Sequence, residues 1–298
     1  MPLEINSNKN KKLRAALLSV IVSTLLICIK LVFGFLTNSI SIFASAVDSF
    51  LDLSASSVNY FSIRKAEKPA DREHRFGHGK AEGLAGLFQS FVIGISSLYL
   101  IYISIKRIFI GTTIESLNSG IFIMVFSTVV SYVLATHLRK IAEETDSIAL
   151  SADSLHYRAD VYTSSSVIIG LIIIRFSGLL LIDSIISICI ALYIIWSSLT
   201  VLKESVDILM DKELPKETVE EVKEIILSHK PLVKSFHKMR TRRSGSRRFI
   251  EFHLVIDHTL SFVESHDLAE DIIKDIEVKV PNADVTVHVD PHSFPDYS

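Results

Sequence analysis

The chain has 298 residues, 49% of them hydrophobic, with a formal net charge of −2 and a mean hydropathy of +0.40. Soluble domains seldom average so apolar a composition, and the near-neutral charge gives no case for nucleic-acid binding. Apolar residues are dense from about residue 15 to 204 and thin out afterwards, which divides the sequence into a membrane domain over 1–207 and a soluble tail over 208–298.

The N-terminal stretch MPLEINSNKNKKLR is polar and basic, and the apolar run after it is long enough to span a bilayer, so no cleavable signal is expected. Six segments have spanning length, near 14–36, 40–63, 84–108, 118–138, 147–175 and 179–202. The second and fifth carry charges and many serines, the composition of helices that line the inside of a bundle. Basic residues gather in the N-terminus (Lys9, Lys11, Lys12, Arg14), in the 64–80 loop (Arg64, Lys65, Lys68, Arg72, Arg75, Lys80) and in a loop expected at 139–146 (Arg139, Lys140). The turns near Thr37–Asn38 and Ser177–Gly178 are uncharged, so both termini are expected on the cytoplasmic side. Cys28 and Cys189 lie in apolar runs and read as packing residues.

The charges inside the spans come in two pairs with helical spacing. Asp48 and Asp52 lie in SIFASAVDSFLDLSASSVNYF, and His156 and Asp160 in LHYRADVYTSSSVIIGLIII. At i, i+4 each pair shares one helix face. A charge near the bilayer centre costs about 2.5–3.5 kcal/mol on insertion scales, so such residues usually mark a site. Three carboxylates and one imidazole can form a tetrahedral oxygen–nitrogen site for a divalent cation, and the imidazole shifts preference from Mg and Mn toward Zn and its neighbours. Lys30, Asp153 and Asp183, also in or near spans, read as structural, with Asp153 one turn before His156 and able to orient it.

The loop PADREHRFGHGKAE sets out Asp71, His74 and His78 as D-x-x-H-x-x-x-H. Alone this is an ordinary solvated pair of histidines; beside a metal pathway it becomes a second candidate site. Past the spans, PKETVEEVKEIILSH reads as an amphipathic helix opened by Pro215. Two strands follow around a Ser244-Gly245-Ser246 turn, then a second helix, SFVESHDLAEDIIKDIEVKV, and a last strand, ADVTVHVD. The expected architecture is thus an all-α, six-helix transmembrane domain followed by a cytoplasmic α+β domain of order αββαβ. His237, His253, His266 and His288 fall on or near these tail elements, with Asp257, Asp290 and His292 close by. No phosphate-binding G-x-x-x-x-G-K-[ST] loop, no H-E-x-x-H and no serine nucleophile elbow occurs, which argues against an ATP-driven motor and against an enzyme.

These residues resemble the cation diffusion facilitators. The resemblance runs from the six spans to the tail and is carried most specifically by VDSFLD, HYRAD, HRFGHGKAE, HKMRTR and VHVDP. It implies a homodimeric metal/proton antiporter in a bilayer, with zinc or another divalent transition metal (cadmium and ferrous iron included) as substrate and structural ligand, and no organic cofactor. It implies a transport site on Asp48, Asp52, His156 and Asp160, and a loop site on Asp71, His74 and His78. A binuclear site falls on His237, His253, His266, His288 and Asp290 of a metallochaperone-like tail. A salt bridge near the dimer interface falls on Lys80 and Asp211. Val289 departs from the family's polar residue at that position, with His292 as a substitute ligand. The resemblance and the absence of long targeting extensions point to a bacterial inner membrane.

Two other readings stay open on the sequence. One is a membrane-anchored metal sensor read through the tail histidines; the other is a magnesium or manganese carrier, against which His156 argues.

Overall fold

The computed structural model describes residues 2–37, 40–110, 118–177 and 180–292; inside the helices the side chains of some residues, Asp48 and Asp183 among them, lie outside the described set. The chain divides into two compact units, Met1–Val206 and Asp207–Ser298.

The first unit is helical: α1 (Pro2–Thr37), α2 (Ile40–Ala66), α3 (Lys80–Ile110), α4 (Asn118–Thr145), α5 (Ile148–Ser177) and α6 (Leu180–Leu209), the last running on into the second unit. Among the described residues three helices are long and apolar enough to cross a membrane, over Asn8–Leu36, Lys80–Phe109 and Ser184–Leu209. Their large apolar side chains point outward: Leu17, Ile21 and Leu25 of α1 and Phe91, Ile95 and Leu98 of α3 are exposed. The interior is made instead of small and polar residues. Ala15, Ala16, Ala85, Ala135, Ala142 and Ala149 pack around Ile63, Leu138, Leu150 and Tyr157, the composition that lets helix backbones approach closely in lipid. Gly86 shows how close: a Cβ there would sit 2.5 Å from Ser205 Oγ on α6 and 3.2 Å from Ile148 on α5.

The loop expected over 139–146 is helix as far as Thr145. Arg139 Nε bonds Glu143 one turn on, Thr145 Oγ1 donates to Ile141 O, and Ala142 is buried, so the last two turns hold. The break comes at Asp146, with φ of 51°, a conformation that Asp tolerates better than most residues. Ser147 then caps α5, accepting from Leu150 N at 3.4 Å. Glu143 and Glu144 therefore belong to the end of α4.

Around the same helix ends lies a buried ion cluster. Lys12 Nζ of α1 stands 2.8 Å from Glu82 Oε1 of α3 and 3.1 Å from Glu67 Oε1, just past α2, and both Lys12 and Glu82 side chains are 1% exposed. Ser147 Oγ completes the shell by donating to Glu82 Oε2 at 2.5 Å.

The second unit holds α7 (Lys216–Ser228), β1 (Val233–Ser244), β2 (Arg247–Ile256), α8 (Phe262–Lys279) and β3 (Ala283–Pro291). The sheet order is β1-β2-β3, with β1 antiparallel to β2 and β2 parallel to β3. Gly245 takes φ of 61° in the hairpin turn, where a side chain would strain the backbone. Ile250, Phe252, Leu254 and Ile256 of β2 pack with Val222 and Ile226 of α7 and Leu268, Ile272 and Ile276 of α8. Both helices therefore cover one face of the sheet, and the alternate residues Glu251 and His253 fall on the other. Ser261 and Glu264 form a reciprocal capping box that starts α8. Val289 packs against the core, on the opposite side of β3 from His288 and Asp290, so its apolar side chain takes nothing from the polar face.

Candidate metal centres

Among the described residues, three groups of side chains bring three ligand atoms within 4.8 Å of one another, the reach of a single ion: Asp52, His156 and Asp160; Asp71, His74 and His78; and His237, His253 and Asp290.

The first is built between α2 and α5. His156 Nε2 lies 2.9 Å from Asp52 Oδ1. Their side chains are 11% and 21% exposed. Asp160 follows His156 by one turn of α5 and closes the group. Asp48 lies on α2, one turn before Asp52, with its side chain outside the described residues. Directly alongside is a hydroxyl network that sequence reading did not anticipate. Asp153 accepts from Ser19 of α1 at 2.7 Å and from Ser56 of α2 at 3.2 Å. Tyr157 OH shares short contacts with Ser23 (2.6 Å), Ser56 (3.0 Å) and Ser19 (3.1 Å). These bonds tie α5 to α1 and α2, so the described bonds of Asp153 fix the helix rather than the His156 ring. The available signal was the i, i+4 serine pair at 19 and 23, and the position of Ser56 one turn beyond Asp52.

The second group sits in the turn between α2 and α3. Asp71 Oδ1 accepts from the backbone of His74 at 2.7 Å and of Glu73 at 3.0 Å. The His74 amide, with that of Glu73 and the nearby rings, holds the Asp71 carboxyl below its ordinary pKa. Gly77, at φ of 81°, turns the chain so that the His74 and His78 rings lie 4.5 Å apart. His78 is buried. Its Nε2 is 3.2 Å from Asp71 Oδ2, and among the described residues neither ring nitrogen has a hydrogen-bond partner. Buried ring nitrogens in that condition suit an ion.

The third group follows from strand register. His237 pairs with His253 across β1 and β2, and His253 with His288 across β2 and β3, so three imidazoles form one row on the helix-free face. Asp290, two residues further along β3, reaches all three: 2.9 Å to His253 Nδ1, 3.2 Å to His288 Nε2 and 3.4 Å to His237 Nε2. Burial would raise the Asp290 pKa, but the His253 hydrogen bond and the neighbouring imidazoles outweigh it and keep the carboxyl low. His266 is exposed on α8 and belongs to none of the groups among the described residues. His292 is exposed as well, its backbone N–H donating to Ile256 O. Lys80 opens α3, and Asp211, at φ of 57°, accepts from Arg242 Nη1 at 3.2 Å.

A helical unit with outward apolar faces and an inward aspartate–histidine group, joined to a small α+β unit with a histidine row, defines a metal-handling membrane protein. The chain belongs to the cation efflux family: the family's transmembrane domain matches residues 16–210 and its cytoplasmic domain residues 214–292. The cation-efflux pump FieF of Citrobacter koseri is 37% identical over 94% of this chain and 93% of its own length, and that of Serratia proteamaculans 37% over 94% and 92%. A solved structure of the putative zinc transporter CzrB in its zinc form aligns with 29% of this chain and 98% of its own at 31% identity, with a TM-score of 0.26. The protein is a cation efflux transporter, not an enzyme, with a helical transmembrane domain followed by a cytoplasmic domain.

Proposed function

We propose that the protein exports a divalent transition metal from the cytoplasm by exchange for protons. Zinc is the preferred cargo, and cadmium and ferrous iron are also carried. It works as a homodimer in a bacterial inner membrane, with six spans, domains over 1–207 and 208–298, and both termini in the cytoplasm. The observation that carries this reading is the group of half-buried Asp52 and Asp160 around buried His156 on two facing helices, with Asp48 one turn away on α2. A mixed oxygen–nitrogen donor set suits zinc and its neighbours better than magnesium or manganese.

The coupling follows from competition. The imidazole and the carboxylates bind metal only when unprotonated, so protons and metal exclude one another on the same atoms. A site that opens alternately to each side of the membrane takes up metal from the cytoplasm, exchanges it for protons outside, and needs no nucleotide. Asp71, His74 and His78 form a second metal site beside the cytoplasmic mouth. His237, His253, His288 and Asp290, with His266 on the exposed side of α8, form the tail site, where zinc helps hold two copies together.

The test is vectorial. Proteoliposomes made acidic inside should take up external zinc as protons leave, and collapsing the gradient should stop uptake. Zinc binding without gradient-driven uptake would replace this reading with a membrane-anchored metal sensor.

A further inference from the structure

Lys30 is a lysine in the apolar part of α1, and the structure gives it a specific place. Its Nζ donates to Ser49 Oγ at 2.7 Å and to Ser45 O at 3.3 Å, both on α2. Ser49 follows Asp48 directly and precedes Asp52 by three residues, a rise of roughly 5 Å along a helix. Ser45, Ser49 and Asp52 share one side of α2. The ammonium is thus held on the same helix side that brings Asp52 to His156.

As a clamp between two helices this is a poor choice of residue. A lysine in the hydrocarbon region is costly, and a serine or asparagine could join α1 to α2 without a charge. Beside a cation site it is also a poor choice for affinity, because it repels the cargo. Both objections vanish if the charge itself is what matters. Asp48, Asp52 and Asp160 carry three negative charges, His156 carries none when it ligates metal, and one ammonium leaves two.

We propose that Lys30 is a fixed charge of the transport site, tuned to a divalent cargo: a bound divalent ion, the three carboxylates and Lys30 together sum to zero inside the membrane. Its repulsion weakens the hold on the ion enough for release. This rests on reading Asp48, Asp52, His156 and Asp160 as the transport site. It also replaces the purely structural role that the sequence alone suggests for Lys30.

The sign of one measurement separates a charge from a clamp. Removing a clamp loosens the site and weakens binding; removing a repelling charge tightens it. Full-length protein in nanodiscs, carrying His74→Ala and His253→Ala so that the other centres do not report, is titrated with zinc, and transport is followed in proteoliposomes. Lys30→Met should bind zinc on the order of tenfold more tightly, with KM and kcat both reduced, and Lys30→Arg should restore both. Unchanged or weaker binding in Lys30→Met overturns the proposal. Ser49→Ala keeps the charge but removes its shorter anchor while Ser45 O remains, and should shift binding in the same direction by less. If Lys30→Met does not fold, Ser49→Ala decides alone, and unchanged or weaker binding there overturns the proposal. Asp52→Ala, in the same titration, addresses the underlying site: binding equal to that of the parent would remove the site reading itself, independently of Lys30.

Discussion

The helical unit and the tail each gather histidine and aspartate, by opposite means. In the helical unit the ligand atoms come from two helices, with Asp52 on α2 facing His156 and Asp160 on α5. The distance between them depends on how two long rods lie against each other. In the tail the ligands stand on adjacent hydrogen-bonded strands, His237, His253 and His288 in one row with Asp290 reaching all three. A sheet cannot change that spacing without breaking its ladder. A site between helices can be reshaped by a small rotation, as cargo release requires; a site printed on a sheet is suited to holding its ion.

Four measurements would break or sharpen this contrast. The largest effect is expected from Asp52→Ala or His156→Ala, which should leave no measurable pH-driven zinc uptake while tail binding persists; surviving uptake in either variant would remove the helical site from the pathway. Next, Asp290→Ala should lower tail zinc affinity by about a hundredfold, since three imidazoles lose a shared carboxylate, yet transport should continue at a reduced rate. If transport stops altogether, the two sites are not separable in the way their construction suggests. A smaller effect is expected from His156→Asp, which exchanges nitrogen for oxygen and should move the zinc-to-manganese transport ratio toward manganese by about tenfold; an unchanged ratio would deny His156 its part in selectivity.

The smallest effect is on the rigidity of the tail. Asp257 accepts from Lys234 Nζ at 2.8 Å and from Thr259 N and Oγ1 at 3.0 and 2.7 Å. The Lys234 bond first, then those of Thr259, hold its pKa well below the ordinary carboxylate range. A pKa lowered by folding contributes stability above the unfolded value of about 3.9, and that contribution is lost as pH falls through the lower folded value. Asp257→Asn should therefore lower the urea midpoint of residues 208–298 at pH 6 and make less difference at pH 3. A gap of equal size at both values would assign the residue a role in shape rather than charge.

How much of this was legible in the sequence depends on how local each feature is. Asp52, His156 and Asp160 stood out because helical spacing and an apolar background are properties of short stretches. The grouping of Asp71, His74 and His78 was legible for the same reason, although the burial of His78 was not. The tail row was only half visible: four histidines could be placed on or near elements, but their alignment depends on β1–β2 register, with an irregularity between His237 and Arg240, and on a parallel β3 far along the chain. His266 looked equivalent to the other three and is set apart from them on α8. The 139–146 segment read as loop because exposed charge was taken for the end of the helix, whereas Arg139 and Glu143, both exposed, pair one turn apart along the solvent face of α4. The serines at 19, 23 and 56 looked merely small, since hydroxyl networks depend on which helices become neighbours.

The Lys12 cluster limits what this molecule can do when it moves. Removing one partner from a buried ion pair costs about 3–5 kcal/mol, and here one ammonium, well inside α1, answers two carboxylates at the ends of α2 and α3, with the cap of α5 joined through Ser147. Pulling these ends apart in every transport cycle would spend that energy each time. A motion that keeps this cluster intact would swing α1, α2, α3 and α5 about one point rather than slide them past one another, and the travel of Asp52 and His156 would then grow with their distance from it along the bundle.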